Sequence, residues 1–316
     1  MAKYILTRLV RSLITLFIIV TLVFCLLRLM PIEGYFQNFE KLSQTQIDVG
    51  LQNMGLKDPL PVQLGHFYKN VLKGDLGVSN KYQRGVSINK IIAKKAPLSI
   101  KMGLLSMALA LAAGLPLGVI MARSARTKYR IGDKLGTVFV VLIQAIPSAI
   151  YYLFIQVYGT DAFHLPLLFN VNRPITWVLP VVSLALGNIA YYAMWLRRYM
   201  VDEANKDYVR LARAKGLSSG EISFKHVFRN ALVPLIQYLP SSLLFTLMGS
   251  LYVESLYSIP GMGGLLVDVI KRQDNTMVQA LVLIYAGISI LGLLFGDVLM
   301  AVVDPRISFS RKEGAR

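Results

Sequence analysis

Six long stretches of this chain carry almost no charge, at about 9–30, 98–122, 135–158, 175–196, 235–257 and 277–303. A helix needs about 20 mostly apolar residues to cross roughly 30 Å of hydrocarbon, and each stretch meets that length. The second, third and fifth are the cleanest. Pro180 and Asn188 interrupt the fourth, and the sixth carries Asp297. With 55% of its 316 residues hydrophobic and only 16% charged, the chain is too apolar and too unevenly patterned for a soluble domain. The expected fold is an all-α polytopic membrane protein with six transmembrane helices.

The net charge of +17 invites a nucleic-acid reading, but the placement of the charges opposes it. Lys3, Arg8 and Arg11 precede or enter the first span, and Arg123, Arg126, Lys128, Arg130 and Lys134 follow the second. Eight more Lys or Arg fall in 197–230, and Arg306, Arg311, Lys312 and Arg316 lie after the last span. The short segments on the other side hold only Arg173 in one and Lys271 with Arg272 in the other. This bias in short loops sets an N-in, C-in orientation. The charge is explained by topology, and no nucleic-acid partner is expected. The first span is read as a retained helix, because its run is long, it lacks a small-x-small exit before Met30-Pro31, and further spans follow. The single Cys25 lies within it, so the chain cannot build a disulfide framework of its own.

Residues 31–97 form a polar outer segment too long for a connector. Asp58-Pro59-Leu60-Pro61 marks a helix start, and Leu64, Phe67, Tyr68, Val71 and Leu72 give an apolar stripe before Gly74. A small cap on the outer face follows, which either docks a soluble partner or braces the first two spans. In the second span, Gly114 and Gly118 flank Pro116, which suits close helix packing and also permits a hinge. Pro147, after Gln144, raises the same question in the third. The stretch Tyr257-Ser258-Ile259-Pro260-Gly261-Met262-Gly263-Gly264 cannot continue a helix and reads as a sharp outer turn or re-entrant segment.

The most structured polar segment is 202–234. Tyr208 to Lys215 is rich in helix formers, and Gly216 falls where a helix C-cap belongs. Ser218 and Glu221 have capping-box spacing, and Ile222, Val227, Phe228 and Ala231 continue as an apolar face. A polar, basic helix–turn–helix between membrane spans suits mechanical contact with a soluble partner.

Catalytic signatures are missing. There is no Gly-x-x-x-x-Gly-Lys-Ser/Thr, no His-Glu-x-x-His and no Gly-x-Ser-x-Gly. His66, His164 and His226 are far apart in the chain, so neither a catalytic nor a metal site is expected. Asp297 is a charged group inside a span, where insertion costs about 2.5–3.5 kcal/mol. Two readings stand: an ion-coupling carboxylate, or a packing or subunit-interface contact. Glu254 and the polar residues Gln144, Gln156, Asn188 and Gln237 either line a hydrated path or bond between helices. With no internal repeat, an inverted-repeat secondary transporter gains no support.

The segment Asp207-Tyr208-Val209-Arg210-Leu211-Ala212-Arg213-Ala214-Lys215-Gly216-Leu217, followed by His226, Arg229-Asn230-Ala231-Leu232 and Pro234, resembles the cytoplasmic loop of ABC importer permeases of the dipeptide/oligopeptide branch. Lys73-Gly74-Asp75-Leu76-Gly77-Val78-Ser79, Glu254, Pro260-Gly261-Met262-Gly263 and Asp304-Pro305-Arg306-Ile307 resemble the other landmarks of that branch. Two positions depart from it. Pro31-Ile32-Glu33-Gly34 stands where Pro-Gly-Asp/Asn is usual, and Leu293 replaces a common Asn.

The resemblance implies a type I importer permease. Its first span is 1–30, its cap 31–97, its core 98–303 with a coupling loop at 197–234, and its cytoplasmic tail 304–316. It implies no cofactor in this chain, with ATP and Mg²⁺ bound by two separate P-loop ATPase subunits. The further partners would be a second, similar permease, an extracytoplasmic binding protein, membrane lipid and a peptide substrate in a bacterial or archaeal cytoplasmic membrane. Arg210, Arg213 and Lys215 would pair with ATPase acids, and Tyr208 and Leu211 would fill its apolar pockets. Relatives of similar sequence carry nickel, glutathione or other small polar solutes. An ion-coupled transporter using Asp297 is the alternative from another class.

Overall fold

The structure is a computed structural model and describes residues 2–29, 31–36, 38–247 and 250–303. The tail at 304–316, including the Asp304-Pro305-Arg306-Ile307 landmark, lies outside the described residues. The described chain is almost wholly helical. Five helices are long and apolar enough to cross a membrane, and a sixth crossing exists if one sharply bent pair counts as a single span.

The first span, α1 (Ala2–Arg28), leads into the outer cap, which holds α2 (Gln44–Asn53) and α3 (Leu60–Leu72). Ser43 and Gln46 form a complete capping box at the start of α2, and α3 begins after Pro59 as its sequence predicts. The cap is fastened to the first span. Tyr68 of α3 shares a 2.7 Å hydrogen bond with Thr21 and donates to the Phe17 carbonyl at 3.0 Å. Its ring also stacks on Phe17.

The next helix, α4, runs from Ile88 to Ser124. It starts well before residue 98 and continues through both Pro97 and Pro116 without a break. Its partner is α7 (Val178–Glu203), and Gly114 and Gly118 set the distance between them. A Cβ on Gly114 would stand 2.9 Å from the Ile189 carbonyl oxygen, and one on Gly118 would stand 2.9 Å from that of Ala193. Close backbone packing, the first of the two readings, is therefore what these glycines do. Gly292 and Gly296 of α13 (Asn275–Val303) play the same part against α10 (Arg229–Leu247), a second pair of small residues four apart.

Three expected spans differ in detail. The third is no straight crossing: α5 (Ile131–Ala145) and α6 (Ser148–Phe163) meet at 108°. Pro147 lacks an N–H and crowds the residue before it, and Ile146 accordingly takes an extended backbone with ψ 128°. The fourth is uninterrupted, because Pro180 falls in the first turn of α7, where the missing N–H has no intrahelical partner to lose. The fifth candidate span reaches from Ser219 to Leu256; it includes α10 and, after Ser250, α11 (Leu251–Leu256), where the Ser250 hydroxyl accepts from the Val253 N–H at 3.3 Å.

After α11 the chain turns at Ser258 and Pro260 into α12 (Met262–Lys271). The outer ends of the spans are clipped together by Asp274, which is fully buried. Its Oδ2 accepts from Ser79 Oγ at 2.6 Å and from the Lys81 and Tyr82 N–H groups at 2.9 Å. Its Oδ1 caps α13 through the Met277 N–H at 3.2 Å.

Candidate functional site: the cytoplasmic lever

Helix α8 (Asp207–Ala214) leaves α7 after Lys206, an extended residue. It ends in an αL closure at Gly216, with φ +79°. The Gly216 N–H donates to the Arg213 carbonyl at 2.9 Å, and the Leu217 N–H reaches back to that of Ala212 at 3.2 Å. This is the paired closure that favours glycine. Ser218 then opens the next helix: its hydroxyl accepts from the Glu221 N–H at 3.3 Å, and the Glu221 carboxylate accepts from the Ser218 N–H at 3.3 Å. Both predicted ends of the turn are present.

The following helix starts with one turn, α9 (Ser219–Glu221), and passes through a π-helical stretch, Ile222–Phe228, into α10. Ile222 and Val227 are both buried although five residues apart, the spacing that a π-turn brings onto one face.

The two faces of α8 have separate tasks. Val209 is fully buried and Ala212 nearly so, and both join the cluster formed by Ala122, Tyr192, Leu196, Met200, Ile222 and Val227. The lever therefore belongs to the same packed core as α4, α7 and α10. Polar bonds strengthen that connection. Arg126 Nη2, at the end of α4, donates to the Ala204 carbonyl at 2.8 Å. The Tyr208 hydroxyl donates to Glu203 Oε2 at 2.5 Å. Burial, aided by the Glu203 carboxylate, pushes the Tyr208 hydroxyl up to about 12, so it remains a donor at neutral pH.

Asp207, Arg210, Leu211, Arg213, Ala214, Lys215 and Gly216 are exposed, with Arg213 on the flank of α8 that borders a pocket shared with Arg126, Met200 and Ile222. Leu211 is 57% exposed, a bare apolar side chain among charges. Of the nominated residues, Tyr208 and Ala212 are the exceptions. Tyr208 is half-buried and bonded to Glu203. Tyr208, expected to fill a partner's pocket, thus packs within its own chain, and Leu211 is the large apolar side chain that α8 exposes. The sequence assigned no contact to Val209, which it placed only within the motif, to Arg126, which it placed only among the orienting charges, or to Glu203. The i, i+3 spacing of Val209 and Ala212 could have identified the inner face, but no sequence signal points to Arg126.

The other nominated residues do not gather into a second site. Glu254 is 2% exposed and accepts from Ser99 Oγ at 2.7 Å and from the Gly264 N–H at 2.9 Å. Ser99 Oγ in turn accepts from the Met262 N–H at 2.8 Å. Glu254 thus fastens the outer turn to α4. Gln156 is buried and donates to the Leu167 and Leu256 carbonyls, at 3.1 and 2.9 Å. Gln144 is exposed just before the bend at Pro147, and Asn188 is half-buried on α7.

Asp297 is nearly buried, forms an ion pair with Arg8 of α1 and accepts from Gln237 Nε2 at 3.3 Å. It faces α1 and α10 of its own chain, as the packing reading of this carboxylate has it. Near the lever, the buried Asp133 pairs with Arg197 at 2.6 Å and with Arg130 at 2.8 Å, which ties α5 to α7.

Known proteins share this organisation. A family model described as the binding-protein-dependent transport system inner membrane component matches residues 114–309, and the N-terminal model of the same membrane component matches residues 1–99. The dipeptide transport system permease protein DppB of Lactococcus lactis is 34% identical over 316 residues, covering 97% of this chain and 99% of that protein. The oligopeptide transport system permease protein AmiC of Streptococcus pneumoniae is 40% identical over 215 residues, which is 67% of this chain. That match spans only 42% of the length of AmiC. Among solved structures, the inward-facing MetNI methionine ABC transporter aligns with a TM-score of 0.51 at 16% identity, over 68% of this chain and 96% of that one. At that identity the likeness is one of fold alone. The lever, the outer turn and the two family matches together place this chain in the family of binding-protein-dependent transport system inner membrane components.

Proposed function

We propose that this chain is the membrane-spanning permease subunit of an ATP-driven ABC importer of di- or oligopeptides, in a bacterial or archaeal cytoplasmic membrane. The observation that carries the proposal is the division of α8. Its inner face is part of the core of α4, α7 and α10, while the rest of its surface exposes Leu211 together with the basic side chains Arg210, Arg213 and Lys215. A partner that moves the outer face must move the spans with it, since packed interiors transmit displacement instead of absorbing it. In this reading the partners are two P-loop ATPase subunits, which bind ATP and Mg²⁺ and whose acidic groups meet the basic side chains. A second, similar permease completes the path, and an extracytoplasmic binding protein delivers the peptide.

Four segments then have separate tasks: the first span over 1–30, the cap over 31–97, the core over 98–303 and the tail over 304–316. Peptide is favoured as the solute by the names of the relatives that match nearly the whole chain, DppB of L. lactis and OppB of Salmonella typhimurium, the latter 31% identical over 312 residues. Glutathione, itself a short peptide, is the second reading, because GsiC of Pectobacterium atrosepticum is 32% identical over 313 residues.

The test is uptake of labelled dipeptide, tetrapeptide and glutathione into cells that carry or lack this chain. Peptide uptake that disappears with the chain and with ATP supports the reading. Uptake that persists without ATP and follows an ion gradient overturns it.

A further inference from the structure

Two cavities of different character adjoin at the outer end of α1. The larger, about 560 Å³, lies between α3, the loop leading into it and the start of α13, and its wall mixes apolar side chains with polar ones, among them Asp58, His66, Asn70, Asp75 and Gln279. The smaller, about 360 Å³, is apolar, with Leu29, Ile32, Leu51 and Leu60 in its wall. Leu29 and Ile32 are also exposed on the side of the molecule where α1 ends. Arg28, Tyr35, Leu56 and Gln63 line both cavities. Arg28 therefore stands between an apolar slot and a more polar chamber, at the level where the first span leaves the hydrocarbon.

The Arg28 guanidinium is held in place without being neutralised. Nε donates to Gln63 Oε1 and Nη1 to the Tyr35 hydroxyl, both at 2.7 Å. Its central carbon lies 4.5 Å from the centre of the Phe24 ring and 5.6 Å from that of Tyr35. All four contacts are to neutral groups, and among the described residues Arg28 forms no ion pair. A half-buried guanidinium fixed in one orientation with N–H groups to spare is suited to a phosphate or a carboxylate. The same chamber holds a second unmet donor: Gln279 is 7% exposed, and its Nε2 has no hydrogen-bond partner. A buried amide without a partner is costly, and turning the Gln279 amide toward the chamber that its residue lines would let an acceptor there relieve that cost. Asp58 and Asp75, on the same wall, form no ion pair among the described residues.

We infer that the two cavities together seat a phospholipid of the outer leaflet with a zwitterionic headgroup. Its phosphate lies on Arg28 and its amine is directed toward Asp58 and Asp75, with an acyl chain in the apolar slot. A free dipeptide matches the larger chamber but leaves the slot without an occupant. An anionic headgroup brings its charge to a wall that already carries two carboxylates. The bound lipid fastens the cap to α1, and this role does not depend on which solute is transported.

The experiment uses the full-length chain, purified in mild detergent with whatever subunits accompany it and then delipidated. It is reloaded with phosphatidylethanolamine or phosphatidylglycerol, and retained lipid is measured by native mass spectrometry and by the shift in melting temperature. Dialanine is added as a competitor. The variants are Arg28→Gln and Gln279→Leu; the second keeps every Arg28 contact and serves if the first fails to fold. The expected result is retention of phosphatidylethanolamine that falls by about tenfold or more in each folded variant, the size of one lost charge-assisted or buried hydrogen bond. Equal retention by wild type and Gln279→Leu overturns the inference. Retention of phosphatidylglycerol as strong as that of phosphatidylethanolamine, or displacement by dialanine, also overturns it.

Discussion

Gly216 shows how one residue governs the lever. Its positive φ reverses the chain between α8 and the next helix, and nothing stands within 4 Å of where a Cβ would be. A Gly216→Ala substitution therefore meets no clash and suffers backbone strain alone, about 1 kcal/mol. Amide exchange over 207–217 is expected to speed up about fivefold, with little change in global melting. Glu254 behaves differently, because it is buried and two donors depend on it. Glu254→Ala leaves the Ser99 O–H and the Gly264 N–H without an acceptor and is expected to destabilise the protein by about 2–3 kcal/mol, seen as a lower melting temperature. A variant with normal melting and altered uptake would return Glu254 to the substrate path. The orientation of Tyr208 was not legible in advance, because it depends on the phase of α8 against Glu203, and residue type does not set that phase. The turn at Gly216 and the Ser218–Glu221 box were legible, because both follow from local chemistry within a few residues.

Among the helices, the closest packing depends on glycines. Gly118→Leu forces α4 away from Ala193 and Leu196 of α7 and is expected to cost about 1–3 kcal/mol or more. Gly65 of α3 is the control, since nothing lies within 4 Å of its missing Cβ. Gly65→Ala is expected to leave stability unchanged or raise it by about 0.5–1 kcal/mol, by restricting the unfolded chain. Thermal melts of both variants in the same detergent check the pair. The Gly114/Gly118 motif could be read from spacing, and so could the start of α3 at Asp58-Pro59. The 108° bend between α5 and α6 could not, because a lone proline in an apolar run is compatible with a straight crossing, a kink or a break, and only the neighbouring helices decide. The ion pair of Asp297 with Arg8 joins opposite ends of the chain, beyond any local pattern.

In the molecule as a whole, the cap, the clipped outer ends and the lever form a chain of contacts from one face of the membrane to the other. Asp274 joins the 79–82 loop to α13, Glu254 joins the outer turn to α4, and α4 packs along α7 to the base of α8. The family could be recognised from motifs spread along the chain, while the geometry that links those motifs required the fold. The central claim is that the outer face of α8 receives an ATPase and its inner face drives the spans. Cross-linking in native membranes tests it most directly, with Cys25→Ser combined with either Leu211→Cys or Val209→Cys and a short bifunctional thiol–amine reagent. The account predicts that Leu211→Cys forms an adduct with a P-loop ATPase subunit that changes in yield when ATP is added, and that Val209→Cys forms none. An ATPase adduct at neither position, or at Val209 in place of Leu211, would contradict it.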